Sequence, residues 1–148
     1  MDKNLPAFLG LDLDGTKVVV GSGPARESLM KSYPQAKFLI AHGDRQLSSY
    51  FSAGDVFVFP SRTDTFGLVM LEALASGVPV AAFPVAGPQD VLAHCPPDRL
   101  AGILDEDLAA AARRAATLRP DDCRAYAEQF SWDVVTTQFL GFLAPAGC

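Results

Sequence analysis

PSRTDTFGLVMLEALASGVPV, residues 60 to 80, links two short apolar runs through a helical stretch, and the fold class is read from that arrangement. Ahead of it, Asp55 to Pro60 (DVFVFP) is short, β-branched and aromatic, and ends at a proline, the pattern of a buried strand. Phe66 to Ser76 has helical character, and Gly77 supplies a C-terminal stop. Val78 to Val85 (VPVAAFPV) is again a strand. Strand, helix and strand at this spacing describe a βαβ unit, which requires parallel strands.

The same alternation extends outward in both directions. Upstream, Lys17 to Gly21 and Lys37 to Ala41 are strands, and Pro24 to Tyr33 and Arg45 to Ala53 are helices. Downstream, Pro88 to His94 is a short helix and Ala101 to Leu104 a weak fifth strand. Helical patterns then run over Glu106 to Leu118, Asp121 to Gln129 and Trp132 to Leu143. Residues 1–148 thus read as one domain, with strand and helix alternating over 1–104 and helices over 105–148. The expected class is α/β, a doubly wound parallel sheet covered on both faces, with ligands at the carboxyl ends of the strands.

Composition removes several function classes. Hydrophobic residues make up 49% and charged residues 20%, a globular balance. Net charge is −5 and the twelve Lys and Arg are scattered, so neither a nucleic acid nor an anionic membrane is an expected partner. No apolar run approaches the roughly 20 residues of a membrane span, and MDKNLPAFLG lacks a signal-peptide core. Cys95, Cys123 and Cys148 form no C-x-x-C pair and read as free thiols in a reducing cytosol. His42 and His94 are far apart, so no zinc site is expected.

The helix of the opening stretch carries one charge, Glu72, among Phe66, Leu68, Val69, Met70, Leu71, Ala73, Leu74 and Ala75. A helix apolar all round is expected to be buried all round, so the carboxylate needs partners. Two readings follow. Glu72 caps nearby backbone or pairs with a distant arginine, or it accepts hydrogen bonds from ligand hydroxyls such as those of a ribose. The helix entrance favours the ligand: Thr63 and Asp64 stand at N-cap positions, and Gly67 gives up helix propensity and lets a ligand approach the backbone. The free N–H groups of the first turn would then hold a phosphate.

Asp64-x7-Glu72 within this stretch resembles the E-x7-E region of family 4 retaining glycosyltransferases of GT-B fold. VVVGSGP, KFLIAHGDRQLSSYFSAGDVFVFPS and FSWDVVTTQFL fit as well, so the likeness spans nearly the whole chain and covers the C-terminal, donor-binding lobe. It implies transfer of a sugar from a uridine or guanosine diphosphate sugar to an acceptor hydroxyl with retention, in polysaccharide or glycolipid synthesis. Glu72 would bind the ribose and Asp64, a glutamate in most of the family, the donor sugar; these two are the expected catalytic pair. The backbone at Phe66, Gly67 and Leu68 would meet the diphosphate or sugar. Lys3 would neutralise the diphosphate, and His42 would lie near the base or stand simply as a solvated loop residue.

The resemblance further implies no cofactor and no metal, a sugar or lipid acceptor, and a cytoplasmic protein, with a peripheral place at the inner membrane face as the alternative. Family members carry a further strand, central in the sheet, and a whole N-terminal lobe ahead of the part matched here. The expectation is therefore a chain truncated at its N-terminus, inactive alone, with β-edges left unpaired; a non-catalytic nucleotide-sugar-binding fragment or an inactive truncated product is the alternative. Other features read as structural. Gly21-Ser22-Gly23 is a tight turn, Arg113-Arg114 and Asp105 to Asp107 are surface and cap charges, and Trp132 with Phe130 and Phe139 is core.

Overall fold

Parallel strands alternate with helices along the chain in the computed structural model, which describes residues 3–63 and 67–142. The order is α1 (Leu5–Leu9), β1 (Val18–Val20), α2 (Arg26–Ser32), β2 (Lys37–Leu39), α3 (Asp44–Ser52), β3 (Phe57–Phe59) and α4 (Leu68–Ala75). Then come β4 (Val80–Ala82), α5 (Ala86–Leu92), β5 (Gly102–Leu104), α6 (Leu108–Ala115), α7 (Pro120–Ala127), a 3-10 turn (Glu128–Phe130) and α8 (Trp132–Phe142). Each expected strand is present but trimmed at its ends. The expected Phe66 to Ser76 helix has its first residue outside the described residues and is helical from Leu68. Helix α1, absent from the sequence reading, is opened by Pro6 in its first turn after Asn4 in the left-handed region.

β1 pairs with β2, and β3, β4 and β5 pair in that order, all in parallel. The described strands thus form two parallel sheets, β1-β2 and β3-β4-β5, with helices connecting successive strands as in a doubly wound fold. β4 explains how one short strand organises both layers. Val80 and Ala82 face a core of Phe59, Met70, Leu74, Val91, Cys123 and Tyr126, supplied by β3, α4, α5 and α7. Ala81, between them, faces Ile103 and the alanines 111, 112 and 115 of α6. The period of two along the strand sends alternate residues to opposite faces, so all three are buried.

The alanines of α6 let it lie close on the sheet. Its first turn is capped by Asp107, whose carboxylate accepts from the N–H groups of Ala109 and Ala110 at 3.0 Å each. At the other face, the Tyr126 hydroxyl donates to the Val91 carbonyl over 2.7 Å, satisfying one of the last-turn oxygens of α5. Replacing Tyr126 with phenylalanine leaves that buried oxygen without its donor. The expected cost is about 1–3 kcal/mol, read as a lower urea midpoint with an unchanged slope.

Trp132 departs from expectation. It is 86% exposed and lies outside the core, because α8 leaves the body of the fold after the 3-10 turn and packs chiefly on that turn. Phe130, by contrast, is half-buried and stacks edge-on to Tyr126, with ring centroids 5.5 Å apart. The Phe139 side chain and Cys148 fall outside what is described.

Candidate donor site at the strand ends

The site is built where β3 ends. Phe59 is buried, Pro60 and Ser61 continue the buried backbone, and the Ser61 hydroxyl accepts from the Thr63 N–H at 3.4 Å to tighten the turn. Asn4 ties the N-terminal segment to this point, its side-chain amide donating to the Pro60 carbonyl at 3.0 Å. Lys3 follows from that anchor: its ammonium nitrogen lies 6.0 Å from the centre of the Phe59 ring. The fold therefore brings one expected site cation to the exit of β3, beside the segment leading to α4.

Gly67 is the N-cap of α4, in the left-handed region at φ 62° and ψ 56°. A β-carbon there would stand 2.6 Å from Met70 Cε and 3.3 Å from Phe59 Cζ. The left-handed backbone favours glycine here, and a β-carbon would also displace the end of the Met70 side chain, reasons distinct from the expected approach of a ligand. The expected N-cap at Thr63 or Asp64 is corrected: the cap falls at Gly67, which has no side chain to cap with, and no acidic residue stands in the first turn. Leu68, the first helical residue, is 66% exposed.

Glu72 requires the largest correction. Its side chain is exposed, although the helix around it is apolar. α4 faces the core through Met70, Ala73 and Leu74 and turns Leu68, Glu72 and Ala75 outward, one turn apart along a single stripe. Apolar residues on every side did not mean burial on every side, since α4 packs on the sheet, α7, α3 and α5 and leaves the Leu68–Glu72–Ala75 stripe uncovered. Neither structural role expected for the carboxylate is found: it has no hydrogen-bond or ion-pair partner among the described residues.

His42 lies in the turn after β2, exposed, with its backbone N–H donating 2.7 Å to the Gln46 side chain. No hydrogen bond or ion pair joins it to Lys3 or Glu72. Asp64 and Phe66, expected to meet the sugar and diphosphate, lie outside the described residues.

The strand ends also hold a cluster that sequence reasoning missed. Arg62, after β3, lays its guanidinium 3.7 Å from the ring centre of Phe83, after β4. It also donates 2.9 Å to the carboxylate of Glu106, after β5. Glu106 had read as a cap charge; its neighbours Asp105 and Asp107 do serve the start of α6, while Glu106 itself reaches across three strand ends. Adjacent strand ends converge only once the sheet forms, so a local pattern carries no sign of this contact.

Nucleophile chemistry has no support in the thiols. Burial raises the Cys95 thiol, and burial first, then the nearby Cys95, pushes Cys123 up to about 11. Both are protonated at neutral pH and act as packing groups, Cys95 accepting from the Ala101 N–H at 3.0 Å. Among the described residues no cluster of three metal-ligating side chains occurs, and no helix is long and apolar enough to cross a membrane.

A parallel α/β sheet with these strand ends is a Rossmann-like lobe of GT-B architecture. The chain belongs to the family of glycosyl transferases group 1, whose model matches residues 10–121. It is 32% identical over 158 residues to the GDP-mannose-dependent alpha-mannosyltransferase of Mycobacterium tuberculosis, covering 95% of this chain and 39% of that protein. Identity to the D-inositol 3-phosphate glycosyltransferase of Mycolicibacterium paratuberculosis is 31% over 183 residues, 95% of this chain and 40% of that one. Sucrose-phosphate synthase from Thermosynechococcus elongatus superposes with a TM-score of 0.64 at 29% identity, over 84% of this chain and 36% of its own. The chain therefore spans about two fifths of the length of these curated relatives.

Proposed function

We propose that this chain is the donor-binding part of a glycosyltransferase that moves a sugar from a nucleoside diphosphate sugar to an acceptor hydroxyl with retention at the anomeric carbon. The observation that carries the reading is Glu72: an exposed carboxylate, unpartnered among the described residues, one turn inside a helix whose entrance has no side-chain cap. A vicinal diol such as a ribose offers two hydroxyls to the two oxygens of one carboxylate. Lys3, anchored near Phe59 at the exit of β3, supplies positive charge to the diphosphate, and the backbone at Phe66, Gly67 and Leu68 contributes N–H donors.

Asp64 meets the donor sugar and His42 lies toward the base in this reading. No metal is invoked, since a lysine and a helix N-terminus answer the charge of the leaving diphosphate. Guanosine is favoured as the base by the name of the mycobacterial mannosyltransferase, with uridine as the rival. The acceptor, a sugar or lipid, belongs to the lobe by which the relatives exceed this chain, so residues 1–148 alone bind donor and do not turn over. The protein acts in the cytoplasm, where such donors are made, at the inner membrane face when its acceptor is a lipid. A nucleotide-sugar-binding module without catalysis is the second reading.

Thermal unfolding with GDP-mannose, GDP, UDP and ADP tests the donor site. Ligand at about 100 times its Kd stabilises by about 2.7 kcal/mol, which for a chain of this size raises Tm by about 5–10 °C. A rise with GDP-mannose and GDP but not ADP is expected. No rise with any nucleotide at millimolar concentration would sink the proposal. Adding the N-terminal lobe of a relative then separates the readings, as transfer appears only for an enzyme part.

A further inference from the structure

The meeting of Arg62, Phe83 and Glu106 adds little to stability. Arg62 keeps 47% of its side-chain surface exposed and Glu106 67%, so solvent screens their attraction. What the contact does is fix geometry. The guanidinium lies 3.7 Å from the centre of the Phe83 ring, and Phe83 is buried, so the planar fork rests on a firm floor. The Glu106 carboxylate accepts from Arg62 Nη2 at 2.9 Å and sets the rotation of the fork within its plane. No other hydrogen bond or ion pair engages either side chain among the described residues, so the guanidinium keeps free N–H groups and the carboxylate free acceptor positions. Asp105, beside them, is already in use: it accepts from the Asp107 N–H at 3.0 Å and lies 3.7 Å from the Arg114 guanidinium.

We propose that Arg62 and Glu106 bind hydroxyls of the sugar carried by the donor. The inference rests on the reading of this chain as the donor-binding part of a glycosyltransferase. In that reading the ribose is at Glu72 and the diphosphate at the exit of β3. The group at the far end of the diphosphate then extends over the exits of the sheet neighbours of β3, which are β4 and β5. Ligands of parallel α/β sheets occupy this side of the strands. Arg62 also stands close to the diphosphate end: it follows Pro60 by two residues, a Cα span of at most about 7 Å. Pro60 is where Asn4 ties down the segment that carries Lys3.

The pairing selects hydroxyls over phosphate. A sugar hydroxyl both donates and accepts, so it takes an N–H from the guanidinium and gives its own proton to the carboxylate beside it. Phosphate oxygens chiefly accept, and the negative charge of Glu106 next to the fork repels them. Because ring and carboxylate already hold the guanidinium, little side-chain freedom remains to be lost when the sugar arrives. A lysine at position 62 would keep the charge but lose both the planar fork and the stacking.

Calorimetric titration of the full chain with GDP-mannose and with GDP tests this, on the parent and on Arg62→Ala, Arg62→Lys and Glu106→Gln. Each variant is expected to weaken GDP-mannose about tenfold or more and to leave GDP within about twofold, since GDP lacks the sugar. Glu106→Gln is expected to keep the free chain's Tm within about 2 °C, so its effect does not come from a loosened fold. Arg119→Ala breaks another exposed pair, 3.8 Å from Asp122 on α7, and is expected to change neither ligand. Unchanged GDP-mannose affinity in Arg62→Ala and Glu106→Gln would overturn the inference. Equal weakening of both ligands would overturn it too, by placing the diphosphate or a folding defect at the pair, as would a matching loss in Arg119→Ala. A parent that binds neither ligand sinks the donor reading and this inference with it. A parent that binds both, weakened by Glu72→Gln but not by these variants, sinks the inference alone.

Discussion

Glu72→Gln is expected to remove about half or more of the stabilisation by GDP-mannose while leaving the free chain's Tm within about 1–2 °C of the parent. The two halves have separate causes. Glu72 is exposed on the outward stripe of α4 and has no partner among the described residues, so the amide replaces a solvated carboxylate at a cost within about 0.5 kcal/mol. In the complex, the carboxylate accepts from two hydroxyls through two oxygens, and glutamine keeps one acceptor and presents a donor to the other hydroxyl. Losing one hydrogen bond to a charged group and misdirecting its neighbour removes about 1.5–3 kcal/mol, a factor of roughly ten to a hundred in Kd. Titration by calorimetry, with circular dichroism as the check on folding, reads both. Unchanged affinity would remove Glu72 from the site, and a collapsed fold would make it structural.

Gly102→Val is expected to give the largest loss of stability of any single change considered. Gly102 opens β5 beside β4, and a β-carbon there would stand 2.8 Å from the Val80 carbonyl oxygen and 2.8 Å from Leu92 Cδ1. The leucine end can rotate, but the oxygen belongs to β4, which is buried and held on both sides by β3 and β5. Relief therefore requires β5 to move off β4, and with it α6, whose alanines pack against Ile103. Overpacking of this kind costs about 3 kcal/mol or more in a fold whose whole stability is about 5–15 kcal/mol. A urea midpoint lowered by about 1 M or more is expected, with Gly102→Ala intermediate. A midpoint within error of the parent would mean that β5 is not held against β4 as described.

The opening stretch carried most of the fold. A β-branched run closed by Pro60, a helical run closed by Gly77 and the VPVAAFPV strand are local patterns, and a βαβ unit is what they can form. The likeness of TDTFGLVMLEALASG to a glycosyltransferase was equally local, and the match over residues 10–121 agrees with it. Helix α1 was missed because LPAFL is too short to show a period, and it holds through Pro6 and the buried Leu9. Trp132 was read as core from its residue type, yet whether an aromatic is covered depends on where α8 is carried.

By itself the sequence determined the order of strands and helices, their parallel class and the family, because periodicity, helix stops and motif spacing act within a few residues. Tertiary structure decided what those elements present. Glu72 is the measure of the difference: its helix looked uniformly apolar in sequence, yet one stripe of α4 is left uncovered by the sheet and the neighbouring helices, and the carboxylate faces outward. The meeting of Arg62, Phe83 and Glu106 was settled at the same level. Burial and pairing are relations between elements distant in the chain, so they come into existence only when the chain packs.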